Sequence, residues 1–174
     1  MGMRHPNEVK NFVISIDGIG QEGLITEFEP PEFKNKLNEH LAGGMGSNKK
    51  INSMVLEDLE LSFKTHHLSA EIEQLIGVLN GGKTKIRSRE SLNDDESPTT
   101  TPVFFLAEGT LNEVKYGSRK VGDRMENEYK MSVITHFEHY IGGVEERYYD
   151  YSTHEYRIHG VSQWASQNSD LGID

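Results

Sequence analysis

The stretch from Arg124 to Tyr140 places the tightest limit on the fold, because its side chains alternate over more residues than any other part of the chain. Met125, Tyr129, Met131, Val133 and Phe137 share one face with Asn127, Thr135 and His139. Glu126, Glu128, Lys130, Ser132, His136 and Glu138 share the other with Ile134. A period of two marks a half-buried β-strand. Shorter runs repeat the pattern. Phe12 to Ile16 is rich in branched residues, which favour strands. Asp17-Gly18-Ile19-Gly20 supplies turn chemistry, so Gly23 to Phe28 is expected to return as the second strand of a hairpin. Pro30-Pro31 ends that strand, since proline cannot donate to a ladder. Further strands are expected at Phe33 to His40, Leu56 to Thr65, Thr84 to Arg89, Thr101 to Glu113, Glu145 to Tyr151 and Tyr156 to Val161. In the second of these, Leu59, Leu61 and Phe63 oppose Asp58, Glu60, Ser62 and Lys64.

One helix is expected, from Ser69 to Leu79. Ser69 is an N-cap type, Glu71 and Glu73 suit the first turn, and Ile72, Leu75, Ile76 and Leu79 form one apolar face. Asn80-Gly81-Gly82 should stop it. The pattern describes a mainly β chain of two packed antiparallel sheets, a β-sandwich or split barrel, with one flanking α-helix. The 174 residues suit a single domain. Residues 1–10 are expected to form a loose arm, and the tail 162–174, polar apart from Trp164 and Leu171, is expected to dock elsewhere.

A glycine-rich loop interrupts this order at residues 41–51. Leu41, Ala42, Gly43, Gly44, Met45 and Gly46 are too flexible to fold alone, and Leu41 and Met45 are too apolar to prefer water. Such a loop is often ordered by something outside its own chain, and the expected partner is a second copy.

Composition removes several function classes. There are 18 basic and 28 acidic residues, a formal charge of −10, which is a poor basis for gripping nucleic acid. Cysteine is absent, and with it disulfides, zinc–thiolate sites and thiol catalysis. No stretch approaches the roughly 20 apolar residues of a membrane span. The N-terminus has no apolar run of signal type, so a soluble chain without a secretory signal is expected.

The chemistry-bearing residues fall short of a catalytic pattern. His136 and His139, three apart in a strand, point to opposite faces, as do His154 and His159. His66 and His67 are adjacent and face the same difficulty. A metal-dependent hydrolase using His136 or His139 with acids of a neighbouring strand is one alternative, and a monomeric β-barrel with a small ligand is another. The pairs Asp94-Asp95, Glu145-Glu146 and Glu57-Asp58 suit solvent better than a glycosidase pocket. The glycine loop lacks the spacing of a phosphate loop. Lys83, Lys85, Arg87 and Arg89 alternate onto one solvated or subunit-facing side. Arg147, Tyr148, Tyr149 and Tyr151 are residue types common at interfaces and form a candidate subunit contact.

The ordered set of features resembles the major tail tube proteins of contractile-tailed bacteriophages, from Asn11 to Ile173. It comprises the opening strand with Asp17-Gly18 and Gly23, the strand ending near Pro30, and Ala42-Gly43-Gly44-Met45-Gly46. Leu56 to Phe63 and the helix Ser69 to Leu79 follow. Gly109 to Val114, Gly122, the long strand, Asp150, Ile158-His159-Gly160-Val161 and Leu171-Gly172-Ile173 complete it. It departs at His40 and Leu41, where tyrosine and arginine are usual, and at His154 and Ser162, where asparagine and aspartate are common.

The resemblance implies a non-enzymatic subunit, without cofactor or metal, that closes into hexameric rings stacked by the glycine loop. It implies a virion tail component assembled in the host bacterial cytoplasm. Expected partners are sheath, baseplate, tape measure and tail terminator proteins, with DNA passing through the lumen. A tailocin or type VI-like secretion tube is the near alternative. Glu57, Asp58, Glu60, Glu126 and Glu128 are candidate lumen acids.

Overall fold

A computed structural model describes residues 7–78, 82–93 and 98–173. The expected acidic turn at 94–97, the helix end at 79–81 and the first six residues of the arm lie outside the described residues. The chain is mainly β, in two antiparallel sheets that do not close into a barrel. The strands are β1 (Glu8–Ile16), β2 (Ile19–Gly20), β3 (Ile25–Glu29), β4 (Asn35–His40), β5 (Lys49–Leu56), β6 (Leu61–Thr65), β7 (Thr84–Asn93), β8 (Thr101–Tyr116), β9 (Asn127–Ile141), β10 (Val144–Asp150), β11 (Glu155–Ile158) and β12 (Val161–Ser162). Two short helices, α1 (Ala70–Glu73) and α2 (Ala165–Leu171), complete the order.

The long strand β9 holds the main sheet together. β8 pairs with it along its length. Its other edge is shared: Asn127 to Met131 pair with β6, and His136 to Ile141 pair with β10. The sheet therefore forks. One branch runs β9-β6-β3 and the other β9-β10-β11-β12, while β8-β7-β1-β2 extends the opposite side. β3 packs back over β8, with the Phe28 and Phe105 rings 6.0 Å apart. The two layers enclose Ile14, Ile16, Leu61, Phe63, Ile86, Leu111, Tyr129, Met131 and Phe137.

The fork rests on two irregularities in β9. The β8 register skips Ser132 and again Thr135. Each skip shifts the inward phase by one residue. Tyr129 and Met131 face the core, then Ile134 replaces Val133, then Phe137 restores the original phase. Strict alternation had put Val133 inside and Ile134 outside; the structure reverses them, leaving Val133 53% exposed. Gly109 sits opposite the shift, where an added Cβ would lie 2.0 Å from the Val133 carbonyl oxygen. Only glycine lets the two backbones approach this closely.

Other expectations need correction. Asp17 and Gly18 take positive φ and return the chain at once into β2. The strand beginning near Gly23 then pairs with β6 rather than β1. The helix covers only Ala70–Glu73. Leu75 and Ile76 donate to carbonyls three residues back, and Gly77, at φ +66°, turns its N–H to Leu111 of β8. The capture by β8 stops the helix before Asn80. Its apolar face still meets the core through Ile72, Leu75 and Ile76. Glu73 ties it to the sheet by accepting from the hydroxyls of Tyr129 (2.7 Å) and Tyr116 (2.5 Å). Burial and then this carboxylate push the Tyr129 phenol well above its usual pKa. Glu8 to Lys10 belong to β1, and a second helix, α2, occupies the polar tail.

Gly109→Val should lower stability by about 2–4 kcal/mol in urea denaturation; a loss under about 0.5 kcal/mol would mean the bulge tolerates a side chain. His139 stacks on Phe105 at 4.3 Å, and burial holds its pKa below the ordinary value. The unfolded chain then binds a proton that the folded chain refuses. This part of the stability is present above the unfolded pKa and falls as pH drops toward the folded one. Between about pH 7.5 and about pH 5.5, His139→Phe should lose less stability than the parent chain.

Candidate assembly surface

The glycine loop lies at the tip of a two-stranded arm, β4-β5, which forms the second sheet. Every residue of β4 and most of β5 are exposed. The sequence signals no strand at β5, because Lys49–Leu56 buries neither face against a core and so carries no clear alternation. Leu41 is 67% exposed, and Gly44 takes φ +88° in the tip. The Ala42 N–H points at the Met45 sulfur, 3.3 Å away. An isolated two-stranded ribbon is marginal in water, so what fixes its base matters.

Two aromatic residues do so. Phe33, just before β4, stacks on Tyr156 and tilts against Phe137, with the Arg147 guanidinium over its ring at 5.1 Å. Trp164, from the tail, donates its indole N–H to the Met54 carbonyl at 3.2 Å. Met54 is held at φ +60°, an uncommon conformation for a non-glycine residue. His154, at φ +50°, stacks on the same indole at 4.8 Å. Asn168 of α2 contacts the His154 ring at 2.6 Å and donates to its carbonyl at 2.9 Å. The C-terminal segment thus fixes two strained positions, one in the arm and one in the body. The lone tryptophan in a polar tail was the signal; the helix beside it was not legible.

A concave strip runs along the arm base. At one end is a groove of about 560 Å³ lined by Glu29, Glu32, Glu57, Asp58, Glu60 and Glu128, with Lys34 and Lys130. Four of the five candidate lumen acids therefore share one recess, and the side chain of Glu126 is not among its lining. Glu60 pairs with Lys130 at 2.6 Å and Glu32 with Lys34 at 2.7 Å. Glu57 and Asp58 make no ion pair among the described residues. A middle recess of about 280 Å³ shares Glu57 and Asp58 with the groove, and shares Leu56, Tyr149 and Tyr151 with a cleft of about 210 Å³ walled also by Val55 and Trp164.

The residues singled out on β10, and Tyr151 just past its end, divide by surroundings. Arg147 donates to the Tyr156 hydroxyl at 2.6 Å, and Tyr149 packs on the core and on Trp164. Tyr148 lies under the Arg157 guanidinium at 3.8 Å. Tyr151 alone of the four is largely free, at 71% exposure. Beside Tyr148, Glu145 binds Arg157 through two contacts, which hold its carboxyl below the usual range. The nitrogens of His136 face Asp150 and Glu138, each at 2.9 Å. Burial alone would raise the Asp150 pKa, but the N–H of Thr153 and the bond from His136 outweigh it and hold it low. His139 lies on the opposite face of β9, against Phe105, so the two histidines do not converge. Among the described residues, no group of three metal-ligating side chains comes together. On β7, Lys85, Arg87 and Arg89 are exposed as expected, and Lys85 pairs with Glu108 at 2.6 Å.

The family model described as phage tail tube protein FII matches residues 6–172. The chain belongs to that tail tube family. That family is one of structural tail tube proteins, which is not an enzyme class. No curated protein matches the sequence significantly. Its fold is similar to a chain in the cryo-EM structure of the sheath–tube complex of the PVC extracellular contractile injection system in the extended state. The two are 12% identical, with a TM-score of 0.57, over 78% of this chain and 91% of that one. A chain in the sheath/tube terminator of the same system, also extended, gives 0.56 at 12% identity, over 76% and 95%. At this identity the likeness is one of fold. No helix among the described residues of this tail tube family member is long and apolar enough to cross a membrane.

Trp164→Ala should cost about 3 kcal/mol and speed hydrogen exchange in β4 and β5 more than in β8. Equal exchange in both regions would mean the indole does not hold the arm.

Proposed function

We propose that the chain is the repeating subunit of the inner tube of a contractile phage tail. Copies close into hexameric rings, and the rings stack through the glycine-tipped arm. The observation that carries this reading is the arm itself: an exposed ribbon with an apolar tip, on a chain of the tail tube family. Ring closure draws support from two borders of the main sheet. From Asn11 to Val13 no strand pairs with the outer edge of β1, where only the Asn11 side chain reaches the Phe12 N–H, and none pairs with β3 beyond β6, among the described residues. Val9 and Val13 are exposed on the first border. Open edges invite pairing, and a head-to-tail pairing that closes gives a ring.

The tube surrounds DNA and lets it pass into the host during ejection. A chain of −10 suits a conduit that repels phosphate. Duplex DNA carries about one charge per 1.7 Å, and a basic wall would hold it. With screening over roughly 8 Å, only carboxylates on the wall itself act. The sheath surrounds the tube, the terminator caps it, and the tape measure and baseplate bound its length and end. Assembly takes place in the host bacterial cytoplasm. The similarity in fold to an extracellular injection system supports a second reading, a tailocin or secretion tube that carries no genome. DNA content of purified particles separates the two.

Gly43→Val with Gly44→Val should leave rings intact and hinder tube growth in negative-stain electron microscopy. Gly43 has open space around it, whereas Gly44 has a backbone that valine strains. Tubes of normal length would remove the loop from the joint, and a parent chain that stays monomeric under all conditions would overturn the tube reading.

A further inference from the structure

The arm and its base are chemically matched, yet they cannot meet within one molecule. From Asn35 to Leu56 the arm carries three lysines and one glutamate, a formal +2 within a total of −10. Lys36, Lys49 and Lys50 make no ion pair among the described residues. The groove at the arm base carries six carboxylates against two lysines, and Glu57 and Asp58 in it make no ion pair among the described residues, although Glu57 lies within electrostatic reach of Lys34. The tip adds Leu41 and Met45, both exposed, while the strip ends in an aromatic cleft with Val55 and Tyr151 on its rim. Basic and apolar groups on the arm thus match acidic and aromatic groups at the base. Within one copy, β5 separates Lys49 from Leu56 by about 24 Å of extended chain. A self-contact is out of reach.

We infer that the arm of each copy seats in the concave strip of a neighbouring copy. Leu41 and Met45 lie on the Trp164 cleft, and Lys49 and Lys50 lie on Glu57 and Asp58. This rests on the reading of the chain as a stacking subunit and supplies the acceptor site for its loop. A tip-to-base contact joins two different surfaces, so it is head-to-tail and propagates from ring to ring where its rotation does not close. Flexible methionine suits an aromatic cleft, where sulfur–ring contacts add to burial. The two unpaired carboxylates then neutralise the unpaired ammonium groups, so these acids sit in a joint between copies rather than on the lumen wall. Opposite charges at such a contact fix register and speed encounter.

The absence of cysteine allows a direct test. Met45→Cys combined with Val55→Cys, oxidised during tube growth, should give a ladder of covalent oligomers, and either change alone should not. Lys49→Glu with Lys50→Glu should form rings but lose tubes. Adding Glu57→Lys and Asp58→Lys in the same chain should restore them. Tubes of normal length from the lysine variant alone would overturn the seat while leaving the tube reading intact. So would normal tubes from the Glu57→Lys, Asp58→Lys variant that fail only in DNA passage, since that outcome puts these acids on the lumen wall. Failure of the parent chain to form rings would remove the tube reading itself, and the seat with it.

Discussion

The close approach of β8 and β9 at Gly109 is the contact on which the architecture depends. The Val133 carbonyl occupies the space where any other residue would carry its Cβ. That approach accommodates the two skips in register, and the skips bend β9 so that one edge can serve both β6 and β10. Without the fork, β3 and β6 would continue as a flat extension. With it, Phe28 returns over Phe105 and a single sheet supplies both layers of the core. The helix, the tail and the arm are all attached to this bent frame. α1 is bound through Glu73 and Gly77, the tail through Trp164, and the arm through Phe33.

Much of the frame was legible because burial imposes a period. Leu59, Leu61 and Phe63 face inward as their spacing requires, and Tyr129 and Met131 do the same. The signal failed where burial did not act in a regular way. Ile134 and Val133 exchange places because a bulge is a property of two strands together, and no single strand records it. β5 was missed because a ribbon in water has no inward side. The helix was drawn too long because its apolar positions continue past Gly77, while the backbone there is captured by Leu111.

The assembly surface was legible in part. The glycine loop and its apolar residues stand out in the sequence, and the structure puts them at the end of a projecting ribbon. The acids of the arm base were also visible, but not their gathering into one recess, which joins residues distant in sequence. On β10 the residue types suggested contact with other copies. Within the chain, Arg147 and Tyr149 also pack toward Phe33 and Trp164, while Tyr151 stays exposed. An aromatic residue at a surface strand serves whichever neighbour arrives first, and here that neighbour is often the chain's own tail.

Under the proposed stacking, the exposed ribbon would also shape the kinetics of growth. A free copy carries an arm anchored only at its base by Phe33 and Trp164, so the first two copies to meet would both have to restrict their chains for little return. A copy arriving at an end already formed would meet a shaped acceptor and lose less freedom. Starting would then be rare and extension fast, and a dilute pool of copies would wait unpolymerised until a template appears.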